Sequence, residues 1–441
     1  MPASQNDKVQ LAHDLHAKAI SIFSQPNTDP KEKALEALNW LKHSVAIEPT
    51  ARSLLNTAKV CMVLNDQSSA VGWALQCLDW CARSVNIGSS DPSPVFTEVF
   101  EAHRLLGQAH AHLAQYAQAI PHLEAFHQSC PQDMANEFDL AYALLALGQY
   151  EKGWQHYQVR YKTGFAVSGA NELTKIPAPQ WQGDLTALDG KIILLLPEQG
   201  LGDEIHFARV ARHLRSAGAR VWIMAPPPLE RLMRTLPWKE RIVSNKWQSY
   251  AEIDCWSTAI RACAYIQLDP YKDKPCTPYL MADPALKRTF SSLLACSSEK
   301  ISVALNWRGN PNHFNDKARS MSLSEIVQEV QVELANAQMT GKKVVLYSLQ
   351  LAPTKEELSL MSAHGIVDLS GHIQDLSDMA ALITLMDHIF TIDSAPAHLA
   401  GALNVKTTVL VPPRIDWRWG TLDSRPPWYP SLALKLQQRF K

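Results

Sequence analysis

Along the first 163 residues, apolar side chains recur every three or four positions, as at Ala34, Leu35, Leu38, Leu41 and Val45. That spacing predicts helices with one buried stripe each. From Lys191 onward the pattern changes to short unbroken apolar runs that alternate with helical stretches. Strands are expected at 192–196, 221–225, 301–307, 343–349, 388–392 and 407–411. Helices are expected between them, at 204–217, 229–236, 323–335, 355–363, 379–385 and 397–403. Unbroken apolar runs joined by helices mark parallel sheets covered on both faces. A polar, irregular stretch at 282–300 splits them into two sets, so two sheets facing across a cleft are expected. The division is therefore a helical domain at 1–163, a linker at 164–190, a first α/β lobe at 191–297 and a second at 298–441.

The helical half repeats. Leu106, Gly107, Leu113, Gln115, Tyr116 and Ala119 return 34 positions later as Leu140, Ala141, Leu147, Gln149, Tyr150 and Gly153, with Pro131 closing the unit. Small residues at helix crossings and a closing proline at this period resemble the tetratricopeptide repeat. An earlier unit fits through Ala37, Leu41 and Pro49, while residues 51–95 fit only loosely. Three or four helix pairs are expected, enough for a solenoid to bury a continuous core. A plain helical bundle is the alternative.

Composition narrows the class. A chain of 441 residues suggests two or three domains, and 46% hydrophobic with 19% charged residues is globular. Net charge is −1, so no global basic field exists to hold nucleic acid or an anionic membrane. No apolar stretch reaches the roughly 18 residues that a membrane span needs. Residues 1–8 lack the basic-then-apolar layout of a signal peptide. Eight scattered cysteines without a CxxC pair read as reduced thiols. A cytoplasmic protein with no membrane span is expected.

Four motifs carry candidate chemistry. Glu198-Gln199-Gly200-Leu201-Gly202-Asp203 follows the first strand and opens a helix. Ile205 stands where a dinucleotide fingerprint needs its third glycine, and no Gly-Lys-Ser/Thr follows. Asp203 at a helix start suits two roles equally, a cap for backbone amides and a proton acceptor kept ionised by those amides. Asp393-Ser394-Ala395-Pro396-Ala397-His398 is again strand end to helix start. Free amides and the helix dipole there suit an anion site for a diphosphate, with Ser394 adding a hydroxyl, or the motif is an ordinary capped helix with a partly buried histidine. The loop from Arg308 to Ser320 carries three cations, Arg308, Lys317 and Arg319, which suits phosphate clamping or simple solvation. Asp416-Trp417-Arg418-Trp419 and Trp428-Tyr429-Pro430 offer aromatics that stack on a sugar or base, or pack one lobe on the other.

Together and in this order, the motifs resemble a bacterial group in which tetratricopeptide repeats precede a glycosyltransferase domain related to the heptosyltransferases. The resemblance covers nearly all of residues 180–441, through Glu198 to Asp203, Trp307 to Ser320, Asp393 to Leu403, Asp416 to Trp419 and Trp428 to Pro430. It implies a GT-B fold of two Rossmann-like lobes and an inverting transferase that uses a nucleotide-sugar and no metal or other cofactor. Asp203 would be the base, with Glu198 the next candidate. Asp393, Ser394 and His398 would hold the donor, and Lys317 or Arg319 its phosphate. Gly200, Gly202, Asn310 and Ser320 complete the implied donor side. Ala395-Pro396 stands where heptosyltransferases favour Gly-Leu, and Pro396 removes an amide donor, so donor identity does not carry over. The repeats imply a protein acceptor, flagellin or another surface protein. The alternatives are transfer to lipopolysaccharide or a lipid-linked sugar, and an inactive repeat scaffold.

Overall fold

Left-handed turns punctuate the helical half at regular places: Asn65, Ala114 and Gly148 all take positive φ where one helix gives way to the next. In the computed structural model the chain forms two compact units, Met1–Lys162 and Thr163–Lys441. The structure describes residues 4–440 apart from 27–28, 87–92, 164–175, 239, 247–248, 274–276, 295–299, 314, 340–341 and 423.

The first unit is built of antiparallel helix pairs: α1 (Gln5–Phe23) with α2 (Pro30–Ile47), α3 (Ala51–Val63) with α4 (Gln67–Asn86), α5 (Ser93–His112) with α6 (Tyr116–Ser129), and α7 (Met134–Ala146) with α8 (Tyr150–Tyr157). The loosely fitting stretch after residue 51 thus supplies the second pair. Small residues set the crossings, because a Cβ at Gly107 would lie 2.6 Å from Leu123 Cδ2 and one at Gly153 2.7 Å from Leu145 Cγ. The buried stripe of α2 runs through Ala34, Ala37, Leu41 and Ser44. Leu35, expected in that stripe, is 60% exposed because it stands about 100° round the helix from Ala34.

The second unit holds two all-parallel sheets. The first orders its strands β3-β2-β1-β4, with β1 Ile192–Leu196, β2 Arg220–Ala225, β3 Arg241–Ser244 and β4 Cys255–Thr258. The second orders them β10-β9-β8-β5-β6-β7, with β5 Lys300–Asn306, β6 Lys343–Ser348, β7 Val367–Asp368, β8 His388–Ile392, β9 Thr407–Val411 and β10 Leu432–Leu436. All six expected strands are present within one residue at each end. The two-lobed α/β architecture is therefore that of the sequence reading, with β3, β4, β7 and β10 added.

Two boundaries differ. Residues 164–175 of the expected linker lie outside the described residues, but the rest packs on the first sheet. Ile176 and Trp181 are buried, and the Trp181 amide donates to the Trp256 carbonyl at 2.8 Å. The polar stretch after residue 282 contains a helix, Pro284–Leu293, started by Asp283, whose side chain accepts from the Ala285 amide. Although it lies on the first-lobe side of the expected boundary, it packs against helix Leu376–Ile383 of the second. Phe290 is the buried residue of this helix.

Candidate active site

Four strands of the two sheets deliver the site residues from their carboxyl ends, where open parallel sheets place ligands. The turn after β1 begins helix Leu201–Phe207 with Gly200 as its N-cap. Asp203 lies inside the first turn, and its Oδ2 accepts from the Gly200 amide at 3.2 Å. Its Oδ1 is 2.7 Å from Arg418 Nη2, which follows β9. Arg418 Nη1 donates to both Asp416 oxygens, at 2.9 and 3.0 Å, and Nη2 to Gln199 Oε1 at 3.1 Å. One nearly buried guanidinium therefore joins a carboxylate from each lobe. Burial pushes the Asp203 carboxyl above the usual carboxylate range, against the pull of Arg418. About a fifth of the Asp203 side chain is exposed, whereas Glu198 is 1% exposed. Of the two candidate bases, Asp203 is the one a substrate can reach.

Asp393 follows β8. Burial and the nearby Asp416 charge push its carboxyl up to about 6. Its backbone carbonyl accepts from Arg319 Nη1 at 3.1 Å. Arg319 lies over Gly309, where a Cβ would come within 2.8 Å of Nη2. The other loop candidates are placed differently. Lys317 is exposed. Asn310 is also exposed, and its Oδ1 takes the Asn312 amide at 3.0 Å. Ser320 Oγ accepts from the Gly309 amide at 3.0 Å and donates to Asp316 Oδ1 at 2.7 Å, which closes the loop. Arg308 is held by Glu357 through two bonds of 2.8 Å. Arg319 is thus the loop cation brought beside Asp393.

Ser394 is the N-cap of helix Ala395–Ala402, but its side chain does not cap it. The hydroxyl lies 3.3 Å from Asn306 Oδ1 and 3.2 Å from the Ile392 carbonyl, turned toward the sheet. His398 lies in the first turn of the same helix. It is 5% exposed and stacks on Trp419 with centroids 4.4 Å apart. Burial among arginines keeps its proton affinity well below the ordinary value, so the ring is neutral. Gly202 abuts it: a Cβ there would lie 2.9 Å from His398 Cδ2 and 3.3 Å from Ala395 Cα. These two helix starts therefore form a direct contact between the lobes.

At that contact Trp428 and Tyr429 meet residues the sequence did not single out, His206, Arg209 and Tyr279. Tyr429 OH lies 3.0 Å from His206 Nδ1, 3.2 Å from His398 Nδ1 and 3.4 Å from Tyr279 OH. Tyr279 donates to the Ile205 carbonyl at 2.8 Å. Arg209 donates to the His206 carbonyl at 2.7 Å, the Trp428 carbonyl at 3.1 Å and Tyr279 OH at 3.2 Å. The Trp-Tyr-Pro segment thus fastens one lobe to the other, the second of the two roles weighed for it. Glu204 was also missed. Burial pushes its carboxyl up to about 8, and it accepts from the Glu198 amide at 2.8 Å. Its place beside Asp203 was the available signal.

No protein-family model matches the chain. Protein FlbA of Caulobacter vibrioides is 24% identical over 433 residues, covering 92% of this chain and 67% of that one. The glycosyl transferase family 9 structure from Veillonella parvula is similar over 57% of this chain and 87% of its own, at 13% identity and TM-score 0.41. The E. coli ADP-heptose lps heptosyltransferase II is similar over 56% and 90%, at 16% identity and TM-score 0.38. MamA from Desulfovibrio magneticus is similar over 36% and 77%, at 21% identity and TM-score 0.28. No helix among the described residues is long and apolar enough to cross a membrane.

Proposed function

We propose that the second unit is an inverting glycosyltransferase that moves a sugar from a nucleotide-sugar to an acceptor hydroxyl. One observation carries the reading: the Asp203 carboxylate of the first lobe meets Arg418 of the second, and Arg418 in turn holds Asp416 beside Asp393 and Arg319 at the carboxyl ends of the strands. Asp203 takes the hydroxyl proton, the oxygen attacks the anomeric carbon, and the bond to the nucleoside diphosphate breaks on the opposite face. Protonation of Asp203 cancels its charge beside Arg418, which leaves that guanidinium freer to stabilise the departing phosphate. Arg319 and the first-turn amides of helix Ala395–Ala402 supply the remaining positive potential. His398 serves this site through position, by packing the two helix starts together. The leaving charge meets arginines and amides, so the reaction needs no divalent cation.

The acceptor is a polypeptide recognised by the repeat unit, since stacked helix pairs offer an extended surface suited to peptides. A flagellin-like surface protein is the first acceptor to try.

The direct test incubates purified protein with a panel of nucleotide-sugars and follows nucleoside diphosphate release. Release from one donor, accelerated by acceptor protein and retained in EDTA, is expected. No release from any donor leaves the scaffold reading, whereas release stimulated by lipopolysaccharide alone assigns a different acceptor. Donor hydrolysis to water should persist in residues 163–441 alone, while protein glycosylation falls.

A further inference from the structure

Three helices of the repeat unit converge on a side-chain group that sugar transfer does not use. His127 lies near the end of α6, Glu137 in the first turn of α7 and His156 in α8. One nitrogen or oxygen from each lies within 4.8 Å of the other two. His156 Nδ1 is 3.4 Å from Glu137 Oε1. The His127 ring meets that of His156 edge-on, with centroids 5.2 Å apart and planes at 89°. His127 Nδ1 is buried and has no hydrogen-bond partner. Buried polar atoms are rarely left in that state, so an orphaned ring nitrogen needs an explanation.

The repeat supplies an internal comparison. One period earlier, the positions of Glu137 and His156 are occupied by His103 and His122. Those two rings pair directly, with their Nδ1 atoms 2.8 Å apart. In the last repeat a carboxylate replaces the first histidine, the pair is wider, and His127 adds a third donor. A directly bonded histidine pair has become a set of two imidazoles and one carboxylate.

We propose that His127, Glu137 and His156 bind a divalent first-row transition ion, for which zinc is the probe. Two imidazoles and a carboxylate suit zinc and its neighbours, whereas magnesium and calcium prefer all-oxygen sites. Ligands about 2.1 Å from a tetrahedral ion stand roughly 3.4 Å apart, the spacing the Glu137–His156 pair already has. His127 closes the remaining gap by side-chain rotation, and its orphaned nitrogen gains a partner. Three protein ligands leave a fourth position for water or a donor atom of a bound protein. The ion would tie α6 of the third helix pair to both helices of the fourth. Because it belongs to the repeat unit, this site is independent of the proposed transferase chemistry.

The full-length protein, stripped with EDTA and desalted, is titrated with zinc against a chromophoric chelator, with magnesium in parallel. Wild type should take up one more tight equivalent of zinc than each of His127→Ala, Glu137→Gln and His156→Ala, and should ignore magnesium. Loss of a ligand should weaken binding at least as much as loss of an outer partner does, roughly 10–100-fold. Zinc should raise the Tm of wild type but not of the three variants, each checked for unchanged helicity by circular dichroism. The paired variant His103→Ala, His122→Ala should keep the equivalent. Equal zinc uptake by wild type and three folded single variants overturns the proposal. So does loss of the equivalent in the paired variant alone.

Discussion

The Asp203 carboxylate and the Arg418 guanidinium meet at 2.7 Å although they belong to different sheets. Arg418 remains bound to Asp416 through a second nitrogen, so it stays in place whatever happens to Asp203. In the proposed reaction the pair would link proton transfer on the acceptor side to positive charge on the donor side.

Asp203→Asn separates the two roles of this residue. The amide oxygen can still accept from the Gly200 amide, so the cap survives and the melting temperature should change little. Turnover should fall about 10²–10⁴-fold, the usual contribution of a positioned base, with donor affinity nearly unchanged. Steady-state kinetics with the cognate donor decides it. Retention of more than about a tenth of wild-type turnover, above what loss of such a base allows, rules Asp203 out as the base.

Arg319 and Lys317 compete for one role, and the geometry favours Arg319. Arg319→Ala should weaken nucleoside diphosphate binding by the roughly 1.5–3 kcal/mol typical of a hydrogen bond to a charged group. Lys317→Ala, removing an exposed side chain, should leave binding unchanged. Calorimetric titration of both variants distinguishes them, and the reverse order assigns the phosphate to Lys317.

Gly202→Ala should destabilise the second unit by about 1–3 kcal/mol, because the added methyl meets a ring enclosed by its neighbours. Gly72→Ala provides the opposite case. Gly72 lies inside α4 with nothing within 4 Å of its added Cβ, so alanine should stabilise that helix by about 0.5–1 kcal/mol. Thermal melts of both variants read the contrast, and a Gly202→Ala protein as stable as wild type would mean the lobes can part freely.

Stability should also depend on pH in a definite direction. Burial raises Glu204 from 4.5 to about 8 and Asp393 from 3.8 to about 6. The folded chain therefore binds these protons more tightly than the unfolded chain does. Their contribution is complete below about pH 4 and is lost as pH rises, by about 6 for Asp393 and about 8 for Glu204. Glu204→Gln should flatten the part of the fall between pH 6 and 8 in urea midpoints. Parallel curves for variant and wild type would show that Glu204 is already ionised in the folded protein.

Six strands were legible in the sequence because β1, β2, β5, β6, β8 and β9 form apolar runs. The other four are short or mixed: β3 reads Arg-Ile-Val-Ser, β7 has two residues, and β10 alternates leucine with alanine and lysine. β4 reads Cys-Trp-Ser-Thr, half of it polar. The expected helix at 204–217 is interrupted at Ala208 and Arg209. Arg209 Nε donates to the His206 carbonyl, the acceptor that the Val210 amide would use in an unbroken helix. A side-chain bond of that kind has no signature in hydrophobic spacing. Strand-end positions likewise revealed Asp203, Arg319 and Asp393, while the bond from Asp203 to Arg418 depends on tertiary packing between distant segments.

The oxygen of Tyr429 has one proton and three neighbours, and counting protons constrains the cluster. With one hydrogen, Tyr429 can donate to at most one of the two histidines, so at least one of them must offer N–H from Nδ1. Tyr429→Phe would deprive both Nδ1 atoms of this partner at once, one in each lobe. A single phenol thus couples the tautomers of two imidazoles that arrive from different lobes.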